Sequence, residues 1–299
     1  MTSDIHCHFF STPLFEALSR QRGLNETVDD LCTELQWDDP GTAWTLADRW
    51  VREMDANGVQ RAALMASVPG DETSVAAAIT RHPQRLVGFF MLDPSAPDAA
   101  ARATRALGGL GLRGVCLFPA MHHVTLTDER VMGIVQAVAE HPGGAVFVHC
   151  GALSIGVRKK LGLPSRFNPA LGDPLAVAHL AAAFPKVPFI IPHFGAGLFR
   201  EALIAADMCR NIYFDTSSSN GWIRYTPGLT LETVFTSALA VAGPSRLIFG
   251  SDSSFFPRGW QKAIHDLQRQ VLTTLNVTAA DQELIFAANF ERLFPPPGV

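Results

Sequence analysis

The stretch Ala145-Val-Phe-Val-His149 is apolar at four successive positions and ends in a histidine. A half-exposed strand alternates apolar and polar residues, whereas a strand covered on both faces of a parallel sheet is apolar throughout. Phe189-Ile-Ile-Pro-His193 repeats this pattern further along the chain. Both stretches therefore predict buried parallel strands that carry an imidazole at the carboxyl end.

Similar short apolar runs recur along the whole chain and alternate with longer segments of helical spacing. Eight strands that alternate with helices are typical of an α/β protein of the (β/α)8 TIM-barrel class. No linker or repeat divides the sequence, so residues 1–299 are predicted to form a single barrel domain. The candidate strands are Ser3–His8, Ala62–Ser67, Val87–Leu92, Gly114–Phe118, Ala145–His149, Phe189–His193, Ile212–Asp215 and Leu247–Gly250.

Apolar residues spaced at i, i+3 and i+4 predict helices between these strands. A last helix is expected to begin after Thr278 and to end at Phe294, because three prolines follow. The segment from Phe10 to Ala43 is rich in polar and turn residues and is predicted to be a loop insertion over the carboxyl ends of the strands. The other predicted helices are Leu46–Asn57, Pro97–Leu107, Glu129–Ala139, Pro174–Phe184, Leu198–Cys209 and Leu231–Ala240.

Composition excludes several classes of protein. Of 299 residues, 47% are hydrophobic and 17% charged, and the net charge is −4, which argues against a disordered chain and against a nucleic-acid-binding protein. The longest apolar stretch, Leu175 to Pro192, is interrupted by charged residues and prolines, so no membrane span is expected. Five cysteines without a CxxC pair, and an N-terminus without a secretory pattern, predict a cytoplasmic protein with reduced thiols. The sequence leaves open whether the protein forms a homo-oligomer.

Polar residues with metal-binding chemistry follow several of the predicted strands. Residues i and i+2 of a strand share a face, so His6 and His8 are predicted to point into the barrel together with Asp4, while Cys7 points outward. A single histidine of this kind is more often a hydrogen-bonded core residue. Convergence of several on one end of one barrel favours a metal site instead, because imidazole and carboxylate bind zinc, manganese and iron. The residues concerned are His6, His8, His149, His193 and Asp252.

The motifs Asp4-Ile-His6-Cys-His8, Phe147-Val-His149-Cys-Gly151, Ile191-Pro-His193-Phe-Gly195 and Leu247-Ile-Phe-Gly-Ser-Asp252 occur in this order. With them the chain resembles the amidohydrolase superfamily, and within it the amidohydrolase 2 branch, which includes aminocarboxymuconate semialdehyde decarboxylase and resorcylate decarboxylases. The resemblance covers nearly the whole chain.

The resemblance implies a divalent metal held by His6, His8, His149 and Asp252. It also implies that His193 is the acid/base group at the metal and that Asp252 both binds the metal and accepts a proton. A bound divalent ion lowers the pKa of its water to about 7 and so supplies hydroxide at neutral pH. One or two ions per chain are expected, with zinc or manganese as the metal.

A second metal ion requires further ligands. The bridging lysine of dinuclear members of the superfamily has no counterpart in the fourth predicted strand, Gly114–Phe118. His122, which follows that strand, and Glu201, which follows His193, are the candidate ligands of a different second site. The alternatives are a polar loop for His122 and a solvated helix position for Glu201.

Aromatic residues near the predicted mouth suggest a partly apolar substrate chamber. Phe255, Trp222 and Arg258 are the candidate substrate-binding residues, and Arg258 suits a substrate carboxylate. The sequence therefore predicts a metal-dependent hydrolase or non-oxidative decarboxylase of a small carboxylate-bearing molecule. The alternative is a nonheme dinuclear iron (Fe/Fe or Fe/Mn) monooxygenase on the same barrel. A non-catalytic metal-binding subunit is the third reading.

Overall fold

The computed structural model describes residues 1–217 and 221–298 and contains an eight-stranded parallel sheet in which the strands neighbour one another in chain order. The first strand also meets the chain that follows the eighth. The amide N–H of Ile5 donates to the carbonyl of Phe249 at 3.0 Å, and that of His8 to the carbonyl of Ser253 at 2.7 Å. These bonds close the barrel, so the predicted (β/α)8 class and all eight predicted strands are confirmed. The strands are β1 Ser3–Phe9, β2 Arg61–Ala66, β3 Leu86–Met91, β4 Gly114–Leu117, β5 Ala145–Val148, β6 Phe189–Ile191, β7 Ile212–Asp215 and β8 Leu247–Ile248.

The helices predicted from apolar spacing are all present within a few residues of the expected bounds. Thr278 caps the C-terminal helical region by accepting a hydrogen bond from the amide of Asp281. Single π-helical turns occupy Arg105–Gly109 and Leu284–Ala288. The α-helices are α1 Thr12–Arg22, α2 Val28–Leu35, α3 Ala43–Asn57, α4 Glu72–Arg81, α5 Ala99–Thr104, α6 Pro119–His122, α7 Glu129–Ala139, α8 Gly156–Lys160, α9 Pro174–Ala183, α10 Phe199–Met208, α11 Leu231–Ala242, α12 Lys262–Thr274, α13 Ala279–Glu283 and α14 Asn289–Leu293.

The insertion after β1 is helical, so its prediction as a loop was wrong. It contains α1 and α2, and Thr27 begins α2 with a capping box to Asp30. Leu14 and Leu18 are spaced for one buried helical face. The helix is short and is surrounded by polar and turn residues, which hid this pattern.

Two apolar layers cover the faces of the sheet. The inner layer fills the barrel with side chains such as Ile5, Phe89 and Phe147, and Phe290 and Phe294 pack against it. The outer layer lies between the strands and the helices and is much larger. Because both faces are covered, the strands are apolar at successive positions.

A third apolar cluster lies apart from the two barrel layers and joins the insertion to the segment that follows β5. We call it the cap: α1, α2, Trp37 and residues 153–163. Phe15, Leu31 and Trp37 of the insertion pack in it with Val157 and Leu161. The cap therefore has an apolar core of its own over the end of the barrel that carries the predicted site.

No helix among the described residues combines the length and the apolar character needed to cross a membrane. All five cysteines are buried and none forms a disulfide.

Candidate metal centre

A bulge in β1 determines which side chains of the first motif enter the barrel. Asp4 pairs with Ala62 and Cys7 with Leu64, so two residues of β1 oppose one residue of β2. Ile5 packs in the inner layer and His6 lines the cavity above it, while Cys7 lies in the outer layer. The outward position of Cys7 is confirmed.

The bulge places Asp4 on the face opposite His6, so the prediction from strict alternation was wrong for this residue. The Asp4 carboxylate accepts hydrogen bonds from the amides of His6 at 2.9 Å and Ser251 at 3.1 Å, and from the Trp260 indole at 2.7 Å. Asp4 therefore ties β1 to the chain that follows β8.

Three donor atoms converge at the carboxyl end of the barrel. The Nε2 atoms of His6 and His8 lie 3.3 Å apart, and Oδ1 of Asp252 lies 3.6 Å from the first and 3.3 Å from the second. The point equidistant from the three atoms in their plane lies about 2.0 Å from each, and zinc bonds to nitrogen and oxygen measure about 2.0–2.2 Å. The triad therefore has the size of a face of a metal coordination shell.

The second nitrogen of each of these histidines is hydrogen-bonded away from the triad. Nδ1 of His6 donates to Oδ2 of Asp215 at 2.6 Å. Nδ1 of His8 donates to the hydroxyl of Ser67 at 2.7 Å, and that hydroxyl itself donates to the carbonyl of Met65 at 3.0 Å. Both bonds fix the tautomer that leaves a lone pair on Nε2, which is the form that binds a metal.

Charges around the triad also suit a cation. Burial lowers the pKa of His6, but Asp215, Asp252 and Asp4 together outweigh burial and raise the pKa to about 9. Burial raises the pKa of Asp252, but the neighbouring His8 and His6 hold it well below its usual range. The site thus attracts positive charge, which a proton on His6 supplies when no metal is bound.

Backbone conformation contributes to the placement of Asp252. This residue has φ of 58°, a left-handed conformation that is unfavourable for a residue with a side chain. The amide of Asp252 donates to the carbonyl of His6 at 2.9 Å. The side-chain amide of Gln261 donates to the carbonyl of Asp252 at 2.9 Å. Just before it, a Cβ at Gly250 would collide with Asp215 and lie 3.0 Å from the Cβ of His6. Only glycine allows this close approach of the chain to Asp215 and His6.

His193 lies beside the triad, with its ring centroid 5.1 Å from that of His6. Its Nδ1 is 3.0 Å from the hydroxyl of Ser217 and 3.2 Å from the carbonyl of the same residue. The Ser217 hydroxyl is also 2.9 Å from Oδ2 of Asp215, to which it donates. With its Nδ1 proton directed at Ser217, His193 has a free Nε2 available to accept a proton. Burial lowers its pKa, which favours this neutral form.

His149 lines the same cavity without joining the triad. Its ring stacks on Phe118 at 5.4 Å and lies 5.4 Å from the ring of His193. Only His6, His8 and Asp252 bring donor atoms within 4.8 Å of one another among the described residues. Nδ1 of His149 is buried with no partner in the described part of the chain, and burial beside His193 and His6 holds the pKa of His149 well below its usual range. Its role as a fourth ligand stays a prediction.

The triad forms the floor of a cavity of about 500 Å³. The predicted substrate-binding residues Phe255 and Arg258 line it, and so do Phe10 and Trp37. Trp222 does not line it, and that prediction was wrong. Trp222 packs instead in the outer layer, 5.8 Å from the ring of Phe199, because its segment folds against α10.

The two residues predicted to hold a second metal do not meet the triad. Neither His122 nor Glu201 lines the cavity. Glu201 lies beside Arg200 at 2.8 Å and lines a separate depression with Tyr225. The second metal site predicted from this pair is therefore not formed in the described part of the chain.

Sequence reasoning overlooked three kinds of residue at this site. Ser67 was predicted only as the end of the second strand. The available signal was a hydroxyl at that strand end, next to the first strand, which ends at His8. Trp37 lay in the segment taken for a loop. Arg158 and Lys160, which also line the cavity, follow β5 at a distance that gave no signal.

Comparisons with known proteins agree with this geometry. The model of the family described as "Amidohydrolase" matches residues 3–295. No curated protein sequence matches the chain. A structure of 5-carboxyvanillate decarboxylase from Novosphingobium aromaticivorans, with bound manganese and 3-methoxy-4-hydroxy-5-nitrobenzoic acid, is similar at a TM-score of 0.66 and 15% identity, covering 98% of this chain and 97% of the other.

Two further solved structures are similar over nearly their whole length. One is a probable 2-pyrone-4,6-dicarboxylic acid hydrolase from Acinetobacter baumannii, at a TM-score of 0.61 and 14% identity over 98% of both chains. The other is an amidohydrolase from Burkholderia multivorans with bound zinc, at a TM-score of 0.61 and 16% identity over 99% and 100% of the two chains. At these identities the structures establish the shared fold alone. The family match over residues 3–295 shows that the chain belongs to the amidohydrolase family.

Proposed function

We propose that the protein is a metal-dependent hydrolase or decarboxylase that acts on a small, partly apolar organic acid. The observation that carries the proposal is the triad of His6, His8 and Asp252, whose donor atoms lie 3.3–3.6 Å apart on the floor of a cavity. Zinc or manganese fits this donor set, since both bind imidazole and carboxylate. The zinc and manganese in the structures similar to this chain support that choice.

A divalent ion bound by the triad supplies Lewis acidity, which polarises an oxygen atom of the substrate or of water. The chain's own residues supply the proton transfer. Nε2 of His193 is free to accept a proton, because its Nδ1 faces Ser217. Asp215 holds that serine at 2.9 Å and so orients His193 and His6 together. In hydrolysis His193 would take a proton from the attacking water and return it to the leaving oxygen, and in decarboxylation it would pass a proton from solvent to the substrate carbon that loses carbon dioxide.

Substrate orientation falls to the residues at the cavity wall. Arg258 donates to the backbone carbonyl of Asp252 at 3.3 Å and to the hydroxyl of Ser254 at 2.6 Å, so its guanidinium is held beside the metal centre. A carboxylate of the substrate would pair with it. Phe10, Phe118 and Phe255 line the cavity and would contact the apolar part of the substrate.

The alternative of a dinuclear iron monooxygenase has less support. It requires ligands for a second ion, and Glu201 lines a separate depression instead. A non-catalytic role has less support too, because the triad and His193 line the same cavity.

The experiment is turnover of a panel of aromatic and aliphatic acids by protein reconstituted with zinc or with manganese under strictly anaerobic conditions. We expect release of carbon dioxide or of a hydrolysis product from at least one acid, and loss of that activity in the His193→Asn variant at unchanged metal content. Activity that needs both Fe(II) and oxygen would overturn the proposal.

A further inference from the structure

The walls of the cavity carry more positive charge than the proposed chemistry uses. Three cations line it, Arg158, Lys160 and Arg258, against a single carboxylate, Asp252. Asp252 belongs to the metal triad, where a divalent ion more than cancels its charge. Two of the three cations therefore remain after Arg258 is assigned to the metal end of the cavity.

The hydrogen-bond partners of Arg158 are all neutral in the described part of the chain. Its guanidinium donates to the side-chain oxygen of Gln21 on α1 and to the carbonyl of Pro164 at 2.6 Å. Its Nε is buried and has no partner among the described residues. A buried donor without an acceptor is costly, and a bound anion would satisfy it.

Lys160 lies beside an aromatic wall formed by Trp37 and Phe255. The rings of Trp37 and Phe255 stack with centroids 4.0 Å apart, and Nζ of Lys160 lies 5.6 Å and 5.8 Å from the two centroids. Arg258 lies 4.5 Å from the centroid of Phe255, over the face that Trp37 leaves free. Arg258, which is bonded to Asp252, therefore covers a face of Phe255, while Lys160 of the cap lies at the edge of the stack, nearly equidistant from both rings.

This arrangement matches a molecule with an acidic group at each end and an apolar body between them. The metal and Arg258 would hold one group, and the aromatic wall would contact the body. A second acidic group would then reach the cap. An uncharged group there would leave the buried Nε of Arg158 without an acceptor, which is costly.

We propose that Arg158 and Lys160 form an anion subsite in the cap that binds a second acidic group of the substrate, remote from the group that reacts. This inference rests on the proposed function for the position of the reacting group. It names the substrate class as a diacid with an apolar, ring-sized body.

The test uses metal-loaded protein and unreactive probes, with affinities measured by calorimetry. Two matched pairs are compared: benzene-1,4-dicarboxylate with benzoate, and naphthalene-2,6-dicarboxylate with 2-naphthoate. We expect at least one diacid to bind about tenfold more tightly than its monoacid, since a charge-assisted hydrogen bond contributes about that much affinity. Arg158→Gln and Lys160→Gln should each remove most of this advantage and leave monoacid affinity within about threefold.

Lys159→Gln is the matched control, because Lys159 is the exposed neighbour of Lys160 on α8 and does not line the cavity. Gln21→Ala removes the neutral hydrogen-bond partner of Arg158 and keeps the charge of Arg158. It therefore tests whether Arg158 acts only by stabilising the cap. Both variants should retain the preference for the diacid.

The proposal is overturned if neither diacid binds more tightly than its monoacid, or if Lys159→Gln has the effect of Lys160→Gln. It is equally overturned if the Arg158 and Lys160 variants lose monoacid binding to the same extent. The readout does not depend on turnover. A diacid preference without turnover of any acid would reject the proposed function and keep the subsite, whereas turnover of acids without this preference would do the reverse.

Discussion

Replacing Asp215 with asparagine removes the charge behind His6 and keeps the shape of the side chain. Oδ2 of Asp215 lies 2.6 Å from Nδ1 of His6, and both residues are buried. Such a carboxylate orients a metal-binding histidine and raises its basicity, and its loss typically weakens metal binding by about 10- to 100-fold. That range corresponds to about 1.4–2.7 kcal/mol of binding free energy.

The assay is competition with a chelator of known affinity, at a pH and ionic strength shared by all variants. Ser67→Ala removes the equivalent anchor of His8, but a neutral hydroxyl contributes less than a carboxylate, so about a threefold to tenfold loss is expected. Cys7→Ser, whose side chain lies in the outer layer, should have no effect. Thermal unfolding of each metal-free variant controls for a folding defect.

The order of the three variants is the decisive result. Metal affinity of Asp215→Asn equal to that of the wild type, after both are corrected for the proton that the metal displaces from His6, would refute the assignment of Nε2 of His6 as a ligand. An effect of Cys7→Ser as large as that of Asp215→Asn would show that the strand register is wrong.

Binding of one zinc ion at pH 7.5 should release close to one proton from His6, because its raised pKa of about 9 keeps it protonated without metal. Metal affinity should therefore fall as the pH is lowered. Calorimetry in buffers of different ionisation enthalpy counts the released proton. His193→Asn should keep the metal and lose about 10²–10⁴-fold in turnover, so steady-state kinetics with elemental analysis checks it, and turnover within a few-fold of the wild type would contradict the acid/base role. His8→Ala should lose bound metal and activity together, and full metal occupancy in that variant would contradict the triad.

The barrel could be predicted from the sequence because its strands are buried on both faces. Runs such as Ala145–Val148 have few alternative structures, and an imidazole at the end of a strand identifies the functional end of the barrel. The members of the triad lie in motifs at the ends of the first and last of these strands, so the sequence pattern also indicated them. His193 also lies in the cavity where its motif predicted it.

Other features depend on contacts that a linear pattern does not contain. The bulge between Asp4 and Cys7 shifts the alternation of β1, and only pairing with β2 reveals it. Trp222 lies close in sequence to the residues of the site, yet its segment packs against α10 and faces away from the cavity. The helices of the insertion are short and amphipathic, and they are stabilised by contacts with a segment more than a hundred residues away.

The separate apolar core of the cap has a consequence for how this enzyme can change. The floor of the cavity rests on the inner layer of the barrel and the cap is packed by a different set of side chains, so substitutions inside the cap are expected to leave the metal triad intact. Substrate selectivity can then change by substitution without a change in the metal centre. A library confined to residues such as Leu14, Leu18 and Val157 would retune which molecules enter while every variant retained its full complement of metal.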